Sequence, residues 1–133
     1  MTTGFGSLTM RQILDQLTNA GTWADPVGFF VQLHTADPGV AGTTAVANNA
    51  QRHTATFASA TAAGLATTSA PVTWASVSAT ETYSYVSFWD SSTAGAGTFL
   101  ASDNLEVARG VTAGDTFTIA TGDIDITLGP IAA

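Results

Sequence analysis

Apolar positions recur at three- and four-residue spacing in one stretch near the start of the chain, and at two-residue spacing through most of the remaining length. Met10, Ile13, Leu14 and Leu17 fall at i, i+3, i+4 and i+7, the stripe of an amphipathic helix. Thr9 with Gln12 forms a capping-box pattern and Gly21 a stop signal, which together predict a helix at about residues 9–20 with Arg11, Asp15 and Thr18 opposite the stripe. A single helix of about three turns is not stable alone in water. Its stripe must therefore lie on the sheet or on a neighbouring subunit. Residues 1–8 are small apart from Phe5 and Leu8; they are expected to form a flexible N-terminal arm that orders against a partner, with residues 9–133 as a single domain.

Phe29–Gly39 reads FFVQLHTADPG. Phe29, Val31 and Leu33 share one face of an extended chain, with Phe30, Gln32 and His34 on the other. Asp37-Pro38-Gly39 then closes the strand, because proline fixes φ and glycine accepts a positive one. Residues 39–51 are rich in Gly, Ala and Asn without periodicity, which predicts an exposed excursion suited to contacts. Further strands are predicted at Arg52–Ser59, around Leu65, at Pro71–Trp74, Thr82–Asp90, Thr98–Ser102, Asn104–Val107, Asp115–Ala120 and Asp123–Leu128. In Thr82–Asp90 the alternation puts Tyr83, Tyr85 and Trp89 on one face and Ser84, Val86 and Phe88 on the other. One helix followed by a succession of short strands, separated by small-residue turns, is the pattern of a mainly β protein: an antiparallel β-sandwich or jelly-roll-like domain.

Composition narrows the chemistry. There is no cysteine, so disulfides, thiolate zinc sites and cysteine nucleophiles drop out. Only 10% of the 133 residues are charged, against roughly a quarter in ordinary soluble domains. So neutral an exterior is weakly hydrated and suits lasting contact with copies of itself or with a large assembly. The net charge is -7, with Arg11, Arg52 and Arg109 the only cations besides histidine. A phosphate backbone would be repelled, so no nucleic-acid partner is expected. The chain has no apolar run of the roughly eighteen residues a span needs, and MTTGFGSL is not a signal peptide. No membrane partner is expected, and synthesis is expected in a host cytoplasm.

Candidate catalytic or metal-binding constellations are weak. His34 and His53, with Asp37, can be drawn together as an acid/base or metal site, but they lack ligand spacing. Asp115, Asp123 and Asp125 invite a calcium hypothesis, yet no DxDxDG loop exists and Gly122-Asp123 reads as turn chemistry. Neither a serine-nucleophile motif nor a phosphate-cradling loop appears. The expectation is a non-enzyme with no catalytic residues, no metal and no cofactor. Trp23, Trp74, Tyr83, Tyr85 and Trp89 are the candidates for an aromatic sugar platform, with Trp23 the one expected to be exposed.

Several of these features occur together in a known family. A short helix, an apolar strand ending in LHTADPG (Leu33–Gly39), GTTAV (Gly42–Val46), AQR (Ala50–Arg52), FWD (Phe88–Asp90) and a closing VTAGDTFTIATGDIDITL (Val111–Leu128) resemble, in order, small tailed-bacteriophage virion proteins often labelled tail-fibre-like. Family members carry GTNEV and YAR where this chain has GTTAV and AQR. The resemblance implies a virion structural protein rather than a catalyst. A compact domain without shaft repeats or coiled coil then points to a capsid decoration protein on the outer head surface, cementing contacts between capsid subunits. The alternative is a minor tail protein, a tail-tip or tail-fibre component serving host attachment, with carbohydrate binding as one means. Expected partners are the major capsid protein or other virion subunits and copies of itself, a closed oligomer such as a trimer suiting a fixed lattice. Phe5, Trp23, Val40, Val46, Asn48, Asn49 and Arg52 are the candidate interface residues.

Overall fold

The structure, a computed structural model, describes residues 4–128. It is mainly β with one short helix. In chain order the elements are β1 (Gly4–Phe5), α1 (Ser7–Leu17), β2 (Phe30–His34), β3 (His53–Thr54), β4 (Leu65–Thr67), β5 (Val72–Trp74), β6 (Glu81–Trp89), β7 (Phe99–Val111), β8 (Phe117–Ile119) and β9 (Asp125–Thr127). An antiparallel five-stranded sheet has the order β1-β7-β6-β2-β3, and two antiparallel ribbons, β4-β9 and β5-β8, complete the strand pairing.

The sheet's inner face and the ribbons share one core. Val31 and Leu33 from β2, Val86 and Phe88 from β6, and Leu100 from β7 join Val72 and Trp74 from β5 and Phe117 and Ile119 from β8. Ring contacts tie the layers: Phe117 meets Tyr83 edge-on with centroids 5.1 Å apart and lies 5.8 Å from Trp74. Two facing layers with alternating inward residues are the sandwich arrangement that the period-two pattern implies.

Several elements differ from expectation. Residues 4 and 5, assigned to a flexible arm, form β1 against Ala101 and Ser102 of β7, and Phe5 packs on the core; residues 1–3 and the expected domain's last five residues, 129–133, lie outside the described ones. The helix starts two residues early, after Gly6, with no capping side chain. Thr9 is therefore inside the helix, and its hydroxyl donates instead to the Phe99 carbonyl at 3.2 Å. At the other end Asn19, with φ of 56°, supplies the left-handed residue assigned to Gly21. The segments expected as two strands at Thr98–Ser102 and Asn104–Val107 are one strand, β7.

On β6 the two-face alternation fails. Tyr83 pairs with Arg109 but Tyr85 with Asn104, so β7 carries Leu105–Ala108 through an irregularity opposite Ser84. Beyond it Tyr83 joins Val86 and Phe88 in the core, while Trp89 remains on the outer side. Residues 39–51, expected as an exposed excursion, also fold back. Thr35 N–H donates to the Ala45 carbonyl at 2.9 Å and Ala47 N–H to the Leu33 carbonyl at 3.0 Å, and Val46 bridges to His34. Ala47 and Asn49 are buried.

Candidate functional site

The outer face of the five-stranded sheet is polar and enclosed, which is unusual for a surface with so few charges. Gln32 and His34 project from β2, Ser87 and Trp89 from β6, and all four are buried. Buried polar groups need partners, and here they find each other. His34 Nδ1 lies 2.8 Å from the Thr44 carbonyl, which can only accept, so Nδ1 carries the proton. Its Nε2 then accepts from the Ser87 hydroxyl at 2.7 Å, and Ser87 Oγ in turn accepts the Trp89 indole N–H at 2.8 Å. Burial holds the His34 imidazole below its ordinary pKa, with the Arg52 charge pushing the same way against hydrogen bonds to the Thr44 and Ala45 backbone.

Arg52 forms the other half of this layer and is 8% exposed. Its Nε donates to Gln32 Oε1 at 2.9 Å, and Nη1 reaches three carbonyls, Ser91 at 3.0 Å, Thr93 at 3.0 Å and Ala96 at 2.7 Å. The guanidinium carbon sits 3.9 Å from the centroid of a Trp89 ring, a cation–π contact. One side chain thereby fixes the Ser91–Ala96 turn onto the sheet.

Above Arg52 and Trp89 lies an open groove of about 660 Å³ between the start of α1, the 40–46 loop and the 95–99 segment. Leu8, Val40, Val46 and Phe99 supply apolar wall, and Gln32 and Arg52 the polar floor. The loops close tightly on Phe99. Gly42 has φ of 70°, and a Cβ there would collide with the Phe99 ring, so this position requires glycine sterically as well as conformationally.

A protein-family comparison matches residues 4–127 to the family described as podophage GP4 fiber I protein gp80. The chain belongs to that family. It is thus a phage virion structural protein by family, of tail-fibre type. A comparison with curated proteins yields no match.

Within this fibre-family fold the sequence-derived candidates separate. Val40, Val46 and Arg52 come together at the groove. Asn48 and Asn49 do not; they bind Glu81, with Asn48 N–H and Nδ2 donating to Oε2 at 3.1 Å and Asn49 N–H to Oε1 at 3.3 Å. They fasten the loop to β6. Phe5 lies in β1 against the core, and half-buried Trp23 is tied through its backbone N–H to Gln16 Oε1 at 3.2 Å.

The proposed His34, His53 and Asp37 constellation is not assembled. His34 is committed to Thr44 and Ser87, His53 stacks 5.0 Å from Trp74, and Asp37 Oδ1 accepts the Gly39 N–H at 2.8 Å inside the turn. Asp115 accepts from Thr112 N–H at 2.8 Å, whereas Asp123 and Asp125 border a separate depression of about 400 Å³ beside β7. Among the described residues no three His, Asp or Glu side chains are grouped to hold a metal ion. The candidate aromatics do not form the exposed platform: Trp74, Tyr83 and Trp89 are buried, and Trp23, the one expected to be exposed, is half-buried, as is Tyr85.

Sequence reasoning missed Gln32, Ser87, Trp89 and Phe99 as parts of this site. The available signal was the pair Gln32 and His34 on one strand face, opposite an all-apolar one: two adjacent buried polar residues demand a polar layer above them.

Proposed function

We propose that this chain is a non-enzymatic structural component of a podophage tail fibre, bound in the virion to other protein subunits rather than to nucleic acid or a membrane. The observation that carries this reading is the family match, which spans residues 4–127 and whose description is of a fibre protein. It favours the tail alternative over capsid decoration, since the compact single domain that suggested a head protein serves equally as one module of a fibre. The site supports a contact role. Its histidine and serine are sealed and hydrogen-bonded to each other and to the backbone, so neither is presented to a substrate, whereas the groove offers apolar wall and one cation.

The test is immunogold electron microscopy of the parent particle with antibody to this chain, combined with quantitative mass spectrometry. Label confined to the tail, at a copy number far below that of the major capsid protein, is the expected result. Label spread over the head at a copy number comparable to the capsid protein would restore the decoration reading.

A further inference from the structure

The four hydrogen bonds of Arg52 use Nε and Nη1. Nη2 makes none of them. It is not sealed off either, because among the described residues the only side-chain nitrogen or oxygen atoms both enclosed and unpaired are Gln12 Oε1 and Tyr83 OH. The acceptors that do bind Arg52 are all neutral, being one amide and three carbonyls; the Asp90 carboxylate acts on it as a nearby charge, against the effect of burial, and is not among its hydrogen-bond partners. A guanidinium in a largely dry setting, with donor capacity left at the floor of an apolar groove, is complementary to a carboxylate flanked by aliphatic groups. Much of the cost of desolvating the cation has already been met in folding, so an arriving carboxylate pays chiefly for its own desolvation.

A saccharide acid fits the walls poorly, since its hydroxyls would lie unpaired against Leu8, Val40 and Val46. An acidic peptide segment fits better, and the chain itself displays one. The β6–β7 register irregularity leaves Leu105–Ala108 without partners on β6, a four-residue bulge, or knob, whose first three residues also border the depression beside β7. Leu105 is anchored against the core, while Glu106 is exposed and Val107 is 68% exposed. The described part of β1 covers β7 only at Ala101 and Ser102, so the knob stands clear of that strand. At the receiving end Val40 is 85% exposed at the groove.

We propose that the Glu106–Val107 knob of one copy docks in the Arg52 groove of the next, Glu106 reaching Nη2 and Val107 packing on the aliphatic wall. Knob and groove are different surfaces, so the contact is heterologous, and a row of copies keeps one free knob at one end and one free groove at the other unless it closes into a ring. This supplies a partner for the proposed fibre role but stands without it: a head location on the particle would sink that role and leave the self-association intact.

The experiment uses the full purified chain in sedimentation velocity over a concentration series. Val40→Asp and Val107→Asp both lie at exposed positions, and unchanged circular dichroism would show that each remains folded. Each is expected to weaken self-association by about tenfold or more, as removal of a central contact does. An equimolar mixture is expected to recover association that stops at a 1:1 complex, because each variant keeps one intact half of the contact. Glu106→Gln is expected to weaken it as well. A wild-type chain monomeric throughout the series, or a mixture with no recovery, would overturn the proposal. So would Leu14→Asp on the helix stripe abolishing association that both other variants leave intact, or glucuronate titrating the groove of a chain that stays monomeric.

Discussion

His34 and Arg52 are both enclosed nitrogen bases, and the fold treats them oppositely. The imidazole is held neutral, because Nδ1–H must donate to Thr44 and Nε2 must accept from Ser87, so protonation would break the chain of donors that ends at Trp89. Burial lowers the pKa of His34, and also that of His53, from the ordinary 6.5. Above that value both states are neutral and the network contributes fully. As pH falls below it the unfolded chain binds protons that the folded one still refuses, so stability declines until the folded pKa is reached. The urea midpoint is therefore expected to be lower at pH 5.5 than at pH 7.5, at about 1.4 kcal/mol for each pKa unit separating the two states. Equal midpoints would contradict an imidazole held neutral by burial, and His34→Gln is expected to leave only the His53 part of the slope. Arg52 remains the cation of the layer, and its role depends on its planar fork. Arg52→Lys keeps charge but cannot hold Gln32, the carbonyl turn and the Trp89 face together, and a loss of about 3 kcal/mol in unfolding free energy is expected.

At the scale of elements, the start of α1 shows why a local rule can fail. Gly6 is the N-cap and provides no side-chain acceptor, so Gly6→Asp looks like a stabilising change by capping preference alone. A Cβ at that position, however, would stand 2.9 Å from the Phe99 carbonyl oxygen and 3.0 Å from its ring. Overpacking outweighs the cap, and chemical denaturation is expected to show Gly6→Asp less stable than the parent by about 1–2 kcal/mol; a gain would mean that Phe99 can move aside. The helix itself was legible in Met10, Ile13, Leu14 and Leu17, but the side it buries was not. Only Thr9 is buried within it, and Leu17 is 79% exposed. The strands were legible from period two, and the Asp37-Pro38-Gly39 turn from its chemistry. The phase of Tyr83 was not, because it depends on Leu105–Ala108, a segment on the neighbouring strand beyond the β6–β7 turn. Nor was the return of residues 39–51 onto the sheet, since small polar residues read alike in a solvated loop and in one pinned by backbone hydrogen bonds. Arg52 was visible as one of three arginines in a charge-poor chain; its partners were distributed over two strands and a turn that only the fold brings together.

For the whole molecule, the decisive junction is between the five-stranded sheet and the β5–β8 ribbon. The ribbon is too short to persist by itself, two-stranded pairs being marginal in water, and it is held by what its inward residues bury. Phe117 is the hinge of that contact, touching Tyr83 on the sheet side and Trp74 on its own ribbon. Tyr83 shares in the enclosure: burial, and then the nearby Glu81 charge, push its phenol up to about 12, so it stays neutral throughout the physiological range. A fibre module gains from this construction, because a layer that cannot open independently cannot expose its edge strands to neighbouring copies. Phe117→Ala is accordingly expected to cost about 3–5 kcal/mol and to lower the stability of both layers together. Fluorescence of Trp74 in the ribbon and Trp89 on the opposite face of the sheet, each isolated by replacing the other tryptophans with phenylalanine, should follow one coincident urea transition. If Trp74 were released first while Trp89 kept its native signal, the ribbon would be a separately melting flap, and the single shared core would have to be redrawn as two.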